Sequence, residues 1–463
     1  MIGVIFSLIV TIVIVRILLK KFKAQFVLFL GGLILLAGAV VMDLLGLLPN
    51  GAQILPKGVS STGFIGFDLV KCITSIMSSR TAGIGLLIMS AAGYSRYMSL
   101  IGASAIMADY LSRPLRLLKS PYLVLSLSYV VGAFADLFIP SASGLAMLLM
   151  VTLYPVLVRL GNSPLSAAAL IATVSCLDMG PTSGAANYAA QVAGMDTMTY
   201  FIDYQIPVGI AVGITIAVLH YFTQKYFDKK DGAEAWKVEG DVKTADSVDT
   251  KNAPVWYGLL PTIPLVLLIV FNPFVIASVK LDVPTAMFIS FIIAIVCELC
   301  RKNAKEVLNT GMEFFLMMGK QFATVITLIV AGELFAKGLM ATGTIDTLIE
   351  GTKNLGLPAY AIMIVMTAFI SVATVVMGSG NAPFFAFAPL VPGFAEQFGV
   401  STTLLLIPMQ LSTGIARCMS PITACVVAVA GCAGLSPFAL VKRTAIPVIG
   451  ALLMLIVMTI VFN

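Results

Sequence analysis

Arg417 carries the most definite chemistry in this sequence. It lies in "ARCMSPITA" (Ala416–Ala424), deep inside an apolar stretch, where a charge is costly and usually functional. A guanidinium forms two parallel hydrogen bonds with a carboxylate, so we expect Arg417 to bind one carboxylate of a ligand. The alternative is a structural ion pair with Asp178, which is also a candidate proton or cation site.

Small polar residues and helix breakers interrupt three other apolar stretches, at "PSAS" (140–143), "LDMGPTSGAAN" (177–187) and "MGSGNAP" (377–383). A helix that ends inside a membrane leaves backbone N–H groups unpaired, and its N-terminal end attracts anions. We expect four such ends, after Ser141, Pro181, Gly380 and Pro421, to converge. Any single small residue also serves helix packing equally well.

The candidate residues follow from these interruptions. The candidate substrate-binding residues are Arg417, Asn381, Ser379, Gly380, Ser141, Ser143, Gly144, Thr182, Ser183, Thr413, Ser420 and Pro421. The candidate ion-coupling residues are Asp178, Gly378 and Asn187. Unwound backbone carbonyls add possible ligands for Na⁺.

Other chemistries lack their residues. The single histidine, His220, excludes HExxH metalloprotease chemistry, and the one CxxC pair, Cys297 and Cys300, has neither a second pair nor nearby histidines. A hydrolase using Ser379 would have no histidine base and no evident serine–lysine pair. We therefore expect no enzyme activity, no cofactor and no metal beyond a coupling Na⁺ or H⁺.

Composition shows what must position these residues. The chain of 463 residues is 59% hydrophobic and 11% charged, and its mean hydropathy is +1.03. Soluble domains carry roughly a quarter charged residues, so this is a polytopic membrane protein, and lipid requires helices that satisfy their own backbone. The net charge of +6 comes from short loops between apolar runs, which argues against nucleic-acid binding.

Hydropathy predicts about 10 full spans. They lie near 2–19, 26–48, 67–95, 164–193, 205–224, 255–272, 283–300, 312–338, 401–434 and 444–462. Two apolar stretches, 121–160 and 358–395, are too long for one span and are predicted to be re-entrant helical hairpins. The hydrophilic segment 226–254 is predicted to be a cytoplasmic linker. Lys and Arg positions place that linker inside and both chain termini in the periplasm.

An internal repeat relates the two halves. Ile206-Pro207-Val208 recurs as Ile446-Pro447-Val448, 240 positions later, and further collinear matches keep nearly the same offset: Pro181 with Pro421, Gly161 with Gly399, Pro155 with Pro392 and Gly102 with Gly343. Because charge places the two hairpins on opposite sides, the halves are predicted to be inverted. Inverted repeats with paired broken helices indicate a transporter with its site at the midplane.

The predicted architecture is therefore an all-α inverted-repeat bundle. Residues 1–60 form N-terminal scaffold spans, and 61–225 form the first repeat, with hairpin 121–160 and broken span 164–193. The linker 226–254 leads to connecting scaffold spans at 255–305. Residues 306–463 form the second repeat, with hairpin 358–395 and broken span 401–434.

With these motifs in order, the chain resembles the DcuC-type anaerobic C4-dicarboxylate carriers of the ion-transporter superfamily. The resemblance rests on "YLSRPLRLLKSPYLVL", "SASGLAMLLMVTLYPV", "PTSG", "GSGNAPFFAF", "ARCMSPITACVVAVAG" and "SPFALVKRTAIPV". It implies transport of succinate, fumarate, malate or aspartate across a bacterial inner membrane, by exchange or by H⁺ or Na⁺ coupling. It also implies a homodimer with an elevator-like mobile domain.

One position departs from that family pattern. Asp178 stands where an apolar residue is usual, which leaves the coupling ion and the preferred substrate open. The alternatives are a carrier for another carboxylate-bearing substrate, such as an amino acid or peptide, and a passive anion channel.

Overall fold

The computed structural model describes residues 2–20, 22–48, 51–56, 58–117, 120–139, 141–232, 253–271, 281–344, 347 and 358–462. Pro140, the linker residues 233–252 and most of the connections 272–282 and 340–357 lie outside the described residues.

Every regular element in the described ranges is a helix. The first half contains Ile2–Leu19, Ala24–Leu44, Ile65–Leu100, Ala103–Ser112, Pro121–Asp136, Ala142–Thr152, Tyr154–Arg159, Pro164–Thr173, Gly184–Val192 and Thr197–Asp231. The second half contains Val255–Val270, Val283–Leu299, Ala304–Ala341, Ala359–Met377, Asn381–Phe387, Val391–Phe398, Thr402–Arg417, Ala424–Ala433 and Pro437–Phe462. The all-helical fold class is therefore confirmed for the described residues.

Six of the described helices are long and apolar enough to cross a bilayer. They are Ala24–Leu44, Ile65–Leu100, Thr197–Asp231, Ala304–Ala341, Ala359–Met377 and Pro437–Phe462. Shorter apolar helices, such as Ile2–Leu18 and Val283–Leu299, accompany them. Their exposed faces carry large apolar side chains, including Ile5, Phe26 and Leu453, as expected for helices bathed in lipid.

Several helices extend beyond the apolar runs that predict them. Helix Thr197–Asp231 begins where Asp196 accepts hydrogen bonds from the backbone of Met198 (2.9 Å) and Thr199 (3.3 Å), and it continues into the segment predicted to be linker. Helix Ala304–Ala341 begins at the cap Asn303. Caps satisfy the free N–H groups of a first turn, and hydropathy does not register them.

Both predicted hairpin segments are interrupted helices. In the first, helix Pro121–Asp136 is followed by a non-helical tip and then by helix Ala142–Thr152. In the second, helix Ala359–Met377 ends at Gly378, whose φ of 71° is left-handed, and a new helix begins at Asn381. Glycine adopts this backbone without steric cost. We call the non-helical residues 137–139 and 141 the first tip, and the non-helical residues 378–380 the second tip.

The two broken spans are also interrupted. Residues 174–183 separate Pro164–Thr173 from Gly184–Val192, and residues 418–423 separate Thr402–Arg417 from Ala424–Ala433. The N-caps of the new helices, Ser183 and Thr423, lie two positions after Pro181 and Pro421. Proline fixes φ but does not itself begin the hydrogen-bonded turn.

Two long helices, Ile65–Leu100 and Ala304–Ala341, run in opposite directions beside each other. Arg80 pairs with Glu333 through two contacts, 2.5 and 2.7 Å, and Arg96 contacts Glu313 at 3.4 Å. The partner number falls as the residue number rises, which fixes the antiparallel arrangement. Each helix also contains one π turn, at Thr81–Gly85 and Phe322–Ile326.

Candidate functional site

A polar cavity of about 320 Å³ lies between the two long helices and the interrupted elements. The long helices contribute Ile88, Ala92, Gln321, Thr324 and Val325. The hairpins and broken spans contribute Asp136, Ala142, Asp178, Met179, Thr182, Ser183, Gly184, Ala185, Asn381, Phe385 and Arg417. Both halves of the chain thus build one chamber.

Three interrupted helices begin at the wall of this cavity. Ala142, Gly184 and Asn381 are the first residues of their helices, and all three line the chamber. The start of the fourth helix, Ala424, is not part of the described wall. Arg417, at the end of the helix that precedes the same break, lines the cavity instead. Within the described residues, three of the four expected helix starts therefore meet at one place.

Arg417 places its guanidinium at the cavity wall at the end of helix Thr402–Arg417. Its Nη2 donates to the carbonyl oxygen of Ser175, and its Nη1 lies 4.0 Å from Oδ2 of Asp178. A guanidinium has five N–H donors, so most of them stay available to a bound carboxylate. The contact with Asp178 is longer than a hydrogen bond, and the structural ion pair considered above is loose.

Asp178 is held in an unusual backbone conformation. Its φ is 45°, and it is the only non-glycine residue with positive φ in the described part of the chain. Gln410 donates from Nε2 to the carbonyl of Asp178 (2.9 Å). Gln205 donates to Gln410 (2.8 Å) and accepts from the backbone N–H of Gly180 (3.0 Å). Strained backbone of this kind concentrates at functional sites.

Two threonines tie the tips to the broken spans. The hydroxyl of Thr182 donates to the carbonyl of Leu137 in the first tip (3.0 Å). The hydroxyl of Thr423 has two acceptors, the carbonyl of Gly378 in the second tip (3.2 Å) and that of Arg417 (2.9 Å). Each tip is therefore hydrogen-bonded to the break that faces it.

Of the fifteen sequence-predicted residues, Arg417, Asp178, Thr182, Ser183 and Asn381 line the cavity. The others do not belong to its described wall: Ser141, Ser143, Gly144, Ser379, Gly380, Gly378, Thr413, Ser420, Pro421 and Asn187.

Several of these ten residues have structural contacts instead. Ser141 caps helix Ala142–Thr152 by accepting from the N–H of Gly144 (3.3 Å). Asn187 donates to the carbonyls of Pro181 (2.8 Å) and Ser183 (2.6 Å). The hydroxyl of Thr413 donates to the carbonyl of Gln410 (2.7 Å).

Gly380 packs on Thr413 so closely that a Cβ at position 380 would overlap with it. Ser420 is fully buried, and its hydroxyl has no hydrogen-bond partner among the described residues. Ser143, Ser379 and Pro421 lie outside the described wall as well.

Asp136, Gln321 and Thr324 line the cavity although sequence reasoning did not select them. Asp136 ends the first hairpin helix and lies within hydrogen-bonding reach of the Ser175 side chain. The sequence could have indicated Asp136, because a carboxylate within an apolar run is as unusual as the guanidinium of Arg417. Gln321 and Thr324 lie on a long helix with no break in its sequence pattern, so only the fold associates them with the site.

The donor set of the cavity suits a small charged organic ligand. No group of three or more His, Cys, Asp or Glu side chains able to hold a metal ion occurs in the described ranges. One guanidinium, two carboxylates, hydroxyls and amides instead offer hydrogen bonds to a small polar molecule. Asp136 and Asp178 also have the oxygen atoms and negative charge that a bound cation would require.

Comparisons with known proteins identify the family of this chain. The family model of the C4-dicarboxylate anaerobic carrier, DcuC, matches residues 2–463. The chain is 34% identical to the anaerobic C4-dicarboxylate transporter DcuC of Escherichia coli K12, over 98% of this chain and 95% of that protein. It is 33% identical to the probable DcuC of Vibrio cholerae, over 100% of this chain and 98% of that protein.

Solved structures share the fold at low identity. The antimetabolite efflux pump MtrF of Neisseria gonorrhoeae superimposes with a TM-score of 0.62 at 13% identity, over 92% of this chain and 94% of that one. The YdaH transporter of Alcanivorax borkumensis gives 0.62 at 15% identity, over 94% and 98%. On the full-length family match and the identity to its relatives, the chain belongs to the DcuC family of C4-dicarboxylate anaerobic carriers, which are transporters and not enzymes.

Proposed function

We propose that this protein is a secondary active carrier of C4-dicarboxylates, such as succinate, fumarate, malate and aspartate, across the bacterial inner membrane. The observation that carries the proposal is the polar cavity between the interrupted helices, with Arg417 at its wall. The names of its relatives support the substrate class.

Arg417 binds one carboxylate of the substrate through its uncommitted N–H donors. Asn381 and the helix starts at Ala142 and Gly184 receive the second carboxylate. The remaining sequence-selected residues, including Ser141, Ser379 and Ser420, shape the tips and breaks that hold these groups. Only modest affinity is expected, because a carrier must release its substrate in every cycle.

An inverted repeat underlies this site. The π turns at Thr81–Gly85 and Phe322–Ile326 lie 241 positions apart. Thr182 and Thr423 are separated by the same 241 positions, as are their carbonyl partners, Leu137 and Gly378. The long helices that contain the π turns are antiparallel, as repeats of opposite topology require.

Alternating access follows from this repeat. The hairpins and broken spans move as an elevator-type unit past the two long helices, in a homodimer whose chain termini are periplasmic. Transport is by exchange or is coupled to H⁺ or Na⁺, and Asp136 and Asp178 are the two carboxylates of the cavity wall that a cation could reach. The cavity wall supports this division, since Gln321 and Thr324 come from a long helix and the charged residues come from the interrupted elements.

Substitution of Arg417 tests the proposal in proteoliposomes. Arg417→Ala is expected to abolish labelled succinate uptake, and Arg417→Lys to reduce it strongly, because an ammonium lacks the planar fork. Arg96→Ala is the matched control, since Arg96 is exposed and contacts Glu313 at only 3.4 Å. Near-normal uptake by a folded Arg417→Ala variant would show that Arg417 does not bind a substrate carboxylate.

Counterflow separates a carrier from a passive anion channel. Unlabelled succinate inside the vesicles is expected to accelerate uptake of labelled succinate, because the binding site of a carrier can return to the outer side with internal substrate bound. The absence of acceleration would favour a channel. A substrate panel, run with and without a Na⁺ gradient, tests the remaining alternative of an amino acid or peptide carrier.

A further inference from the structure

The charges of the cavity do not match a simple dianion. Its described wall contains one cation, Arg417, and two carboxylates, Asp136 and Asp178. A dicarboxylate adds two more negative charges to this chamber, which is partly lined by Ile88, Val325 and Phe385. Like charges repel strongly where water is limited, so the negative charge has to be offset by a proton, by a bound cation or by a positive group on the substrate itself.

Asp178 is the carboxylate best placed to receive that positive group. Its only polar side-chain contact among the described residues is the 4.0 Å approach to Arg417, and its side chain is 24% exposed. Gln410 and Gln205 hold its backbone from behind. Asp136, by contrast, lies within hydrogen-bonding reach of Ser175.

Asp178 and Arg417 place an anionic carboxylate next to a cationic guanidinium. An α-amino acid presents the matching pair, an ammonium and a carboxylate on one carbon atom. An ammonium has three N–H donors for a carboxylate, and a guanidinium binds a carboxylate in a fork. We propose that the cavity selects C4-dicarboxylates that carry an α-ammonium group, with Asp178 binding the ammonium and Arg417 the α-carboxylate.

This inference rests on the proposed transport of C4-dicarboxylates and narrows it. L-Aspartate and succinate differ by one ammonium group and are therefore the matched probes. Their half-saturating concentrations are measured by counterflow in proteoliposomes containing the full-length chain, its Asp178→Asn variant and the control Asp109→Asn. Asp109 pairs with Arg113 on the surface (3.0 Å) and is not part of the described cavity wall.

Asparagine is the appropriate replacement at position 178. It matches aspartate in size and tolerates positive φ, which this backbone requires at 45°. Asp178→Gly is the second variant, since glycine also accepts this conformation and removes the carboxylate entirely.

The wild-type carrier is expected to favour L-aspartate over succinate by about tenfold or more, the size of one charge-assisted hydrogen bond. Asp178→Asn and Asp178→Gly should bring that ratio close to one, mainly by weakening L-aspartate. Asp109→Asn should leave it unchanged. Equal half-saturating concentrations of succinate and L-aspartate in the wild type would overturn the inference and leave the proposed function standing.

The same vesicles distinguish an ammonium site from a coupling-ion site. Suppose that Asp178→Asn abolishes the dependence of succinate transport on a Na⁺ or pH gradient and leaves the substrate ratio intact. Asp178 then binds the coupling ion, and the inference is wrong. If none of the C4 acids gives counterflow in the wild type, the proposed function fails together with the inference.

Discussion

At the level of single residues, the cavity depends on a pair of buried amides behind Asp178. Gln205 and Gln410 are both fully buried and link three segments: the break at Asp178–Gly180, helix Thr197–Asp231 and helix Thr402–Arg417. Each amide uses both its donor and its acceptor ends. The pair therefore determines where the Asp178 carboxylate stands relative to Arg417.

Replacing Gln410 with leucine is expected to weaken substrate binding more than maximal transport. The change leaves the carbonyl of Asp178 without its donor, which costs about 1–3 kcal/mol for a buried group. The KM for counterflow should rise, and the unfolding midpoint should fall. The control is Gln397→Leu, because Gln397 is exposed on helix Val391–Phe398. Equal effects of the two variants would contradict a positioning role.

A second residue-level prediction concerns the close approach of the two broken spans. Gly414 packs against the carbonyl oxygen of Cys176, which a Cβ at position 414 would overlap. Gly414→Ala is expected to abolish transport or folding, because backbone cannot yield as a flexible side chain can. Gly431→Ala, where a Cβ meets nothing within 4 Å, should be tolerated. Thermal unfolding in detergent and succinate uptake together measure both variants.

The sequence predicted some of these residues and missed others for identifiable reasons. Arg417 and Asp178 were recognisable because a charge in an apolar run is unusual. Gln205 and Gln410 were not, since a glutamine within a helix is ordinary until the fold brings the two amides together. Ser420 was selected for its break, yet its hydroxyl is buried away from the described cavity wall.

At the level of elements, the tips and breaks are joined by one type of contact in both halves. Thr182 donates to the first tip and Thr423 to the second. Thr182 also lines the cavity, where a carboxylate would compete with Leu137 for its single proton. We therefore expect substrate binding and the position of the tip to be linked through this hydroxyl.

Removing either hydroxyl is expected to slow transport about fivefold, the value of one net hydrogen bond. Thr182→Val and Thr423→Val keep the side-chain shape and lose the donor, whereas Thr182→Ser and Thr423→Ser keep the donor. Initial rates of succinate counterflow measure the effect. Thr215→Val is the control, because among the described residues the Thr215 hydroxyl donates only to the carbonyl of Ala211 in its own helix (2.9 Å). Serine variants as slow as the valine variants would contradict the prediction.

Element positions were largely predictable, and element ends were not. Helix breakers in apolar sequence marked both hairpins and both broken spans. The helices at 197–231 and 304–341 extend past their apolar runs because caps such as Asp196 and polar last turns stabilise helix without hydrophobicity.

At the level of the whole molecule, a buried charge network binds the C-terminal helix to the first half. Arg443 is 1% exposed and donates to Asp228 (2.6 Å), Asp231 (2.9 Å) and Ser166 (3.1 Å). In the sequence, "LVKRTAI" shows only two adjacent positive charges. The fold instead buries Arg443 between helices Thr197–Asp231 and Pro437–Phe462.

Arg443→Met is expected to destabilise the protein by about 3–5 kcal/mol, because it leaves the carboxylate of Asp228 buried without a cation. The adjacent Lys442 provides the control: its side chain is 59% exposed and lies 3.9 Å from Asp231, so Lys442→Met should cost at most about 1 kcal/mol. Unfolding in detergent compares the two. Adding Asp228→Asn to Arg443→Met should recover part of the loss, and similar midpoints for both single variants would be inconsistent with the network.

The ion pair between Arg80 and Glu333 has a consequence for the transport cycle. Separating these partly buried charges on every turnover would cost several kcal/mol, and their two-pronged contact allows little sliding. In the proposed elevator mechanism, we therefore expect the two long helices to stay together and stationary while substrate crosses. A cross-link between positions 80 and 333 should then leave transport intact, whereas a cross-link from either long helix to either tip should stop transport.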